Sequence, residues 1–429
     1  MFAPTSPLSI PAYRHYWLAR LCSTMALNGM VVIIGWQVYD VARRTMPPRE
    51  AALQLGLIGL AQFLPLLLLT LVTGLTADRV DRRWIARATA ALEMVCAATL
   101  AIMTWRDTVS LPALFVIAAL LGVARAFSAP ALQALSPNLV PKPLLPSAIA
   151  LSSLVWQIGA IAGPPLGGYL YAIHPPLAYA VSAAMLALAT MALMRIGPVP
   201  RTRVDGSRNP WAQALDGIAY LGRNRLVLGA ISLDLFAVLL GGATAMLPIY
   251  ARDILHVGAS GLGHLRAAPA LGALIVAISL SRSPLRTNVG LKLLVAVAVF
   301  GVGTIAFGLS QHSPWPMATA LTCLALLGAA DMVSVYVRQT LIQLYTPDEM
   351  RGRVGAVSTL FISGSNELGE AESGFLAALI GPVAAVVGGG IGTIVIAVLW
   401  ARLFPEILRA RTFEPPKSFE TIPAQEKTA

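Results

Sequence analysis

Gly74-Leu-Thr-Ala-Asp78-Arg79-Val-Asp81-Arg82-Arg83 stands between two long apolar stretches, 53–76 and 86–105. A small residue such as Gly74 lets two helices approach closely, and an aspartate with a cluster of arginines then caps the turn. The plainest account of the arginines is the positive charge that flanks membrane helices on the cytoplasmic side. Charge this dense, pinned between two apolar helices, places the turn hard against a membrane surface. Composition points the same way. Hydrophobic residues make up 57% of the chain, charged residues 12%, and mean hydropathy is +0.73. Soluble proteins carry about a quarter charged residues. A chain of 429 residues this apolar cannot hide its surface from water, so the expected setting is a bilayer.

Working outward, a helix needs about 20 apolar residues to cross the hydrocarbon. Twelve stretches qualify: 17–41, 53–76, 86–105, 111–134, 147–171 and 177–195, then 226–250, 261–280, 289–310, 316–337, 354–379 and 383–404. Backbone polar groups find no water in the bilayer core, so helices are the natural spanning form. Alternating β periodicity is absent, which excludes an outer-membrane barrel. An even number of spans puts both termini on one side. Twenty-three of the 31 Lys and Arg lie on that side, in loops and at the ends of spans, and five on the other, with Arg20, Arg125 and Arg266 within spans. The excess predicts cytoplasmic termini. It also removes the nucleic-acid reading of the +11 net charge, because the cations are spread over many short loops. Cys22, Cys96 and Cys323 are scattered in apolar stretches and offer neither a disulfide framework nor metal-ligand spacing.

The stretch 196–225 is a Pro/Arg-rich break, with Pro198, Pro200 and Pro210. It divides the chain into a six-helix bundle over 1–195, a cytoplasmic linker over 196–225, a second bundle over 226–404 and a polar tail over 405–429. The halves repeat. At a shift of 206, Gly122 meets Gly328, Gln133 meets Gln339, Pro141 meets Pro347, Gly163 meets Gly369, Gly168 meets Gly374, and Asn28 meets Asp234. At a shift of 204, Gly59 meets Gly263 and Pro65 meets Pro269. Two repeats of six spans each share one orientation in the membrane. The expected fold is an all-α membrane protein of twelve transmembrane helices in two six-helix pseudo-repeats.

The opening segment resembles the signature loop between helices 2 and 3 of major facilitator superfamily transporters, roughly G-x-x-x-D-R-x-x-R-R. Gly74, Asp78, Arg79, Arg82 and Arg83 carry the match, and Asp81 departs from it where many members have glycine. The loop after the eighth span keeps only Arg282 and Arg286, a degenerate copy. In the fifth span, Gly159, Gly163, Pro164, Gly167 and Gly168 resemble the antiporter motif of the superfamily's exporters, G-x-x-x-G-P-x-x-G-G. Physically, its small residues allow backbone-to-backbone packing and its prolines kink the helix. Across nearly the whole chain the likeness is to the drug and siderophore exporters of the superfamily, including the enterobactin-exporter and macrolide-efflux subgroup. The resemblance implies secondary active transport, with two bundles rocking about a midplane cavity lined by helices 1 and 7. It also implies a latch at the signature loop, where Asp78 can meet a positive helix N-terminus or a loop arginine. An arginine in the fourth span commonly tunes a proton relay in the superfamily, so the resemblance gives that role to Arg125. The alternative for Arg125 is a static cross-helix ion pair.

A charge at mid-bilayer costs at least about 2.5–3.5 kcal/mol on insertion scales, so each needs a partner, a watery cavity or a function. Arg125 and Asp331 hold equivalent places in spans 4 and 10. Asp234 lies opposite Asn28 and is the first candidate for a titrating carboxylate. Span 11 holds Asn366, Glu367, Glu370 and Glu372. At about 100° per residue, Asn366 and Glu370 share a face with Ser363, Glu367 borders it, and Glu372 points elsewhere. Arg266 and His264 can partner these acids, and His264 has no second histidine nearby to make a metal site. Gln37, Gln62 and Gln157 either contact substrate or join helices. Glu93 reads as a salt-bridged or buried protonated acid.

The expected function is proton-coupled export of a drug- or siderophore-like small molecule by alternating access, through a monomer in the inner, cytoplasmic membrane. Uptake of a small metabolite by the same fold stays open. An integral membrane enzyme is disfavoured because the polar residues sit at depth and the loops are short. No nucleotide-binding glycine loop is present, and no cofactor or metal is implied. The partners are the small molecule, protons and the lipid bilayer.

Overall fold

The computed structural model describes residues 6–79, 81–198 and 219–413. Twelve long helices run through them: α1 (Pro11–Arg43), α2 (Pro48–Arg79), α3 (Arg82–Trp105), α4 (Leu111–Leu135), α5 (Leu145–Ile173), α6 (Pro175–Met194), α7 (Arg225–Leu240, continued through shorter turns to Ile254), α8 (Gly258–Arg282), α9 (Val289–Gly308), α10 (Pro316–Leu344), α11 (Asp348–Ile380) and α12 (Pro382–Leu403). Prolines open many of them, because a first-turn N–H has no helical acceptor to lose. Eleven are apolar and long enough to cross a membrane, and α11 is the carboxylate-bearing exception. At about 1.5 Å per residue the 33 residues of α1 and of α11 reach ~50 Å, beyond the ~30 Å hydrocarbon. A reversal between α11 and α12 is made by Gly381 at φ 91°, a conformation that side-chain-bearing residues rarely adopt.

The two halves pack alike. α1 packs on α5 and α6, α2 on α4, and α3 on α4 and α6; correspondingly α7 packs on α11 and α12, α8 on α10, and α9 on α10 and α12. The equivalent glycines carry equivalent contacts. Gly122 of α4 faces the Gln62 carbonyl of α2, and Gly328 of α10 faces the Pro269 carbonyl of α8. The halves meet along two seams, α2 with α11 and α5 with α8, which exchange under the same pseudo-symmetry. In the first, Gly374 lies against Gly56. In the second, Gly168 and Pro164 lie against Ala259 and Gly263. These close approaches all sit in the half of the helices away from the chain termini.

One sequence expectation changes. Arg338, assigned to a loop, lies inside α10 at 2% exposure, because that helix runs on to Leu344. The tail is ordered at its start: Pro405–Arg409 is helical, and the Ala410 and Arg411 carbonyls accept from the Gly290 and Val289 N–H groups at 3.0 and 3.4 Å. They satisfy the first turn of α9, which lacks a side-chain cap. Most of the expected linker and the rest of the tail lie outside the described residues.

Candidate functional site

Between the halves lies a partly open cavity. Its walls are largely apolar, from Val31 and Ile34 of α1, Leu55 and Ile58 of α2, and Leu262 of α8. Four polar residues line it: Gln62 of α2, Thr244 of the segment after α7's first helical stretch, Arg266 of α8 and Glu370 of α11. Arg266 Nη2 stands 3.5 Å from Glu370 Oε1, with 28% and 29% of the two side chains exposed. Arg266 Nη1 donates to the Thr244 carbonyl at 3.2 Å. That carbonyl is accessible for a local reason. α7 breaks after Leu240, at Gly241-Gly242, into a 3₁₀ turn, and Pro248 has no N–H to give to Thr244 four residues back. A π-helical turn, Tyr250–Ile254, closes the segment.

Gln62 and Arg266 are equivalent under the 204-residue shift, and so are the glycines one turn away. Gly59 faces the Glu370 side chain, while Gly263 faces the Pro164 backbone. Glu370 is itself the counterpart of Pro164 at a shift of 206. The charges of the cavity therefore come from the second half, at places where the first carries glutamine and proline.

The end of the cavity away from the termini is closed by a crossed ionic lock. Asp40 of α1 takes Arg252 of α7 at 2.7 Å, and Arg43 of α1 takes Asp253 of α7 at 3.5 Å. Tyr39 donates to Asp253 at 2.5 Å, and Arg44 reaches Asp40 at 3.5 Å and Asp107, after α3, at 3.7 Å. By sequence these arginines read only as loop charge. The signal lay in the Asp40-Val-Ala-Arg43-Arg44 end of the first span and the Arg252-Asp253 pair after the seventh.

Other expected site residues fall elsewhere. Asp234 does not line the cavity: it is an ion pair with Arg338, 5% and 2% exposed, in the apolar core of α7, α9, α10 and α12. Gln37 is also away from the cavity, accepting from Tyr179 at 2.7 Å and donating to Thr104 at 3.2 Å, and so joins α1, α6 and α3. Asn28 donates to its own helix at Thr24 and packs beside Gly163. Arg125 and Asn366 are exposed, and Gln157 and Asp331 are half-buried. His264 meets the Tyr169 hydroxyl at 2.9 Å across the α5–α8 seam. Glu93 is buried in α3. The side chains of Glu367, Asp78 and Arg79, and the surroundings of Gly74, lie outside what the structure describes.

The remainder of the signature segment is local structure. Asp81 caps α3 by accepting from the Arg83 N–H at 3.0 Å, and it takes the Arg83 guanidinium at 2.6 Å. Arg87 donates to the Leu193 and Ile196 carbonyls at the end of α6, at 3.1 and 2.8 Å. Arg82 also has a partner. In α5, Gly159, Gly163 and Gly167 face Thr24, Asn28 and Gly29 of α1, while Pro164 and Gly168 face α8. One motif thus serves a seam within its half and a seam between halves.

Twelve helices in two pseudo-repeats around a central cavity define a transporter of the major facilitator fold. Solved structures agree. The nucleoside transporter NupG superposes with a TM-score of 0.72 at 11% identity, covering 91% of this chain and 99% of that one. A D-xylose-proton symporter gives 0.71 at 13% over 91% and 98%. A bacterial homologue of the human lysosomal transporter Spinster, inward-facing and occupied, gives 0.70 at 15% over 95% and 98%. Residues 2–425 match the transmembrane secretion effector family, and the chain belongs to that family of the superfamily. It is 28% identical to the enterobactin exporter EntS of Escherichia coli O1:K1, over 94% of each chain. It is also 28% identical to that of Salmonella choleraesuis, over 94% and 95%.

Proposed function

We propose that the protein is a proton-driven exporter of a drug- or siderophore-like small molecule, a monomer in the inner membrane with both termini in the cytoplasm. The observation that carries this reading is the Arg266–Glu370 pair at the closed end of a cavity between two pseudo-symmetric halves. Glu370 is partly exposed to that cavity, so a proton can reach it. A neutral Glu370 no longer holds Arg266 as a charge partner, and the balance between the two access states shifts. Proton and substrate then drive the cavity to open on opposite faces in turn. Asp234, expected as the first titrating group, is a weaker candidate because Arg338 holds it in a dry core. The relatives named enterobactin exporters support export over uptake.

The test begins with efflux from a pump-deficient host across dyes, macrolides and siderophores, to find a transported compound. That compound is then used to measure substrate-driven proton flux in proteoliposomes. Glu370→Gln is expected to uncouple transport, and unaltered flux in this variant would sink the assignment. Asp78→Asn is expected to lower transport at normal expression, and an unchanged rate would remove the latch from the signature loop.

A further inference from the structure

Arg266 touches two things at once. Nη2 faces the Glu370 carboxylate of α11, and Nη1 donates to the Thr244 carbonyl in the broken part of α7. The break continues directly into the lock, since Arg252 and Asp253 lie eight and nine residues beyond Thr244 on the same segment. It also leans on α11 around Glu370: a side chain on Gly242 would collide with the Gly369 carbonyl and the Ser373 hydroxyl, on either side of Glu370 in that helix. Glu370, Arg266 and the α7 break therefore form one joint. At the far end of the same segment stand the ion pairs to Asp40 and Arg43.

We infer that Arg266 is a positioning residue that transmits the charge state of Glu370 to the α7 break, and through it to the lock. The inference deepens the reading of Glu370 as the coupling acid and rests on it. A planar guanidinium can hold a carboxylate and a carbonyl together in fixed geometry, which a lysine ammonium does not reproduce. With Glu370 charged, Arg266 clamps the break between α8 and α11, and Arg252 and Asp253 are held in register with α1. With Glu370 neutral, the clamp loses its charged partner, the break is free to rotate, and the crossed pairs separate. The other polar residues of the cavity, Gln62 and Thr244, are uncharged, so no second carboxylate in its described lining replaces Glu370.

The experiment places a reporter cysteine at Val31, which lines the cavity and is exposed to it, in the full chain with Cys22, Cys96 and Cys323 changed to serine. A membrane-impermeant maleimide is applied to the face opposite the termini, and the labelling rate reports how often the lock opens. Glu370→Gln is expected to raise labelling about threefold to fivefold, the population shift that a partly exposed ion pair can hold back. Arg266→Gln is expected to raise it as much, and the double variant no further, because both remove one link. Arg266→Lys, which keeps the charge, is expected to label like Arg266→Gln. Additive effects of the single variants, wild-type labelling in Arg266→Lys, or no change in Glu370→Gln would each overturn the inference. Proton flux is read separately on the same samples. Coupled flux surviving Glu370→Gln while labelling stays non-additive would refute Glu370 as the coupling acid and leave the mechanical link standing.

Discussion

Gly163 in α5 and Gly369 in α11 occupy equivalent places, and each lets its helix lie against the inner helix of its own half, α1 or α7. The next residues part company. In α5 they are Pro164-Pro165, whose backbone meets Gly263 of α8; in α11 they are Glu370-Ala371-Glu372, with Glu370 meeting Gly59 of α2. One seam is backbone on backbone, with the Tyr169–His264 contact across it, and holds no carboxylate. The other sets a carboxylate on the cavity, against Gly59 and across from Arg266. The same scaffold is used twice, once for packing and once for packing with chemistry. A repeat that keeps its glycines can thus diverge in charge, because close approach needs only the missing side chain and leaves neighbouring positions free.

The strongest way to break this comparison is to remove a charge the second half holds in its core and the first half lacks. At the place equivalent to Asp234 the first half has Asn28, an uncharged side chain bonded to its own helix. Arg338→Met strands Asp234 in an apolar core, and the expected loss is about 3–5 kcal/mol. Thermal unfolding of the purified protein in detergent checks it. Adding Asp234→Leu should recover most of the loss, since an apolar pair of similar volume is often neutral against a buried ion pair. A small effect of Arg338→Met would show that the pair is hydrated rather than dry.

The seams come next. Gly263→Val drives a branched side chain into the Pro164 carbonyl and Pro165 backbone, which have little room to yield, and should cost about 1–3 kcal/mol. Gly59→Val meets instead the Glu370 side chain at 3.4 Å, which can swing into the cavity. Its cost in stability should be smaller, with a larger effect on coupling. Unfolding midpoints set beside proton flux for the two variants separate these outcomes. Equal losses in both measurements would erase the distinction between a packing seam and a chemical one.

How much of this was legible follows from the same contrast. Helices announce themselves by long apolar runs, so all twelve were placed from sequence, and α11 was found despite its carboxylates. Glycine spacing exposed the repeat, because close approach tolerates few other residues. Arg338 escapes a hydropathy reading because α10 stays helical past its apolar stretch, where hydropathy no longer reports the helix. Gln37 joins helices, one of the two readings its sequence leaves open. Asp234 lies off the cavity because its place on a helix that the resemblance sets at the cavity does not say which neighbour covers its face. The Arg266–Thr244 contact could not be foreseen as a pair. Its ingredient was visible, however, in Gly241-Gly242 and Pro248, which together interrupt the ladder and free a carbonyl.

Weaker again is the lock. Asp253→Asn leaves the Tyr39 contact possible but removes the charge that holds Arg43, and both partners are about a quarter exposed. A loss of at most about 1 kcal/mol is expected for such a pair. It should appear as faster labelling of Val31→Cys from the face opposite the termini, with little change in unfolding midpoint. The contact of Gly56 with Gly374 at α2–α11 is backbone on backbone and should be indifferent to salt. Labelling that quickens with ionic strength in wild type and not in Asp253→Asn would assign the salt response to the lock.

The smallest effect belongs to Asp81, the residue at which the signature segment departs from its usual glycine. Its oxygens cap α3 and hold Arg83, while α9 in the other half has no such side chain and takes the Ala410 and Arg411 carbonyls from the tail. Glycine is itself a tolerable N-cap, so Asp81→Gly should cost only a few tenths of a kcal/mol. Arg83 keeps a carbonyl partner in Ile196, at 3.4 Å, and Arg87 still ties α3 to the end of α6. Truncation after Leu403 removes the corresponding support from α9 and exposes buried Ile407 contacts, so it should destabilise more than Asp81→Gly does. Comparing the two unfolding shifts tests whether the second half has moved the capping of its third helix from a side chain to a distant backbone. A larger shift for Asp81→Gly than for the truncation would refute that transfer.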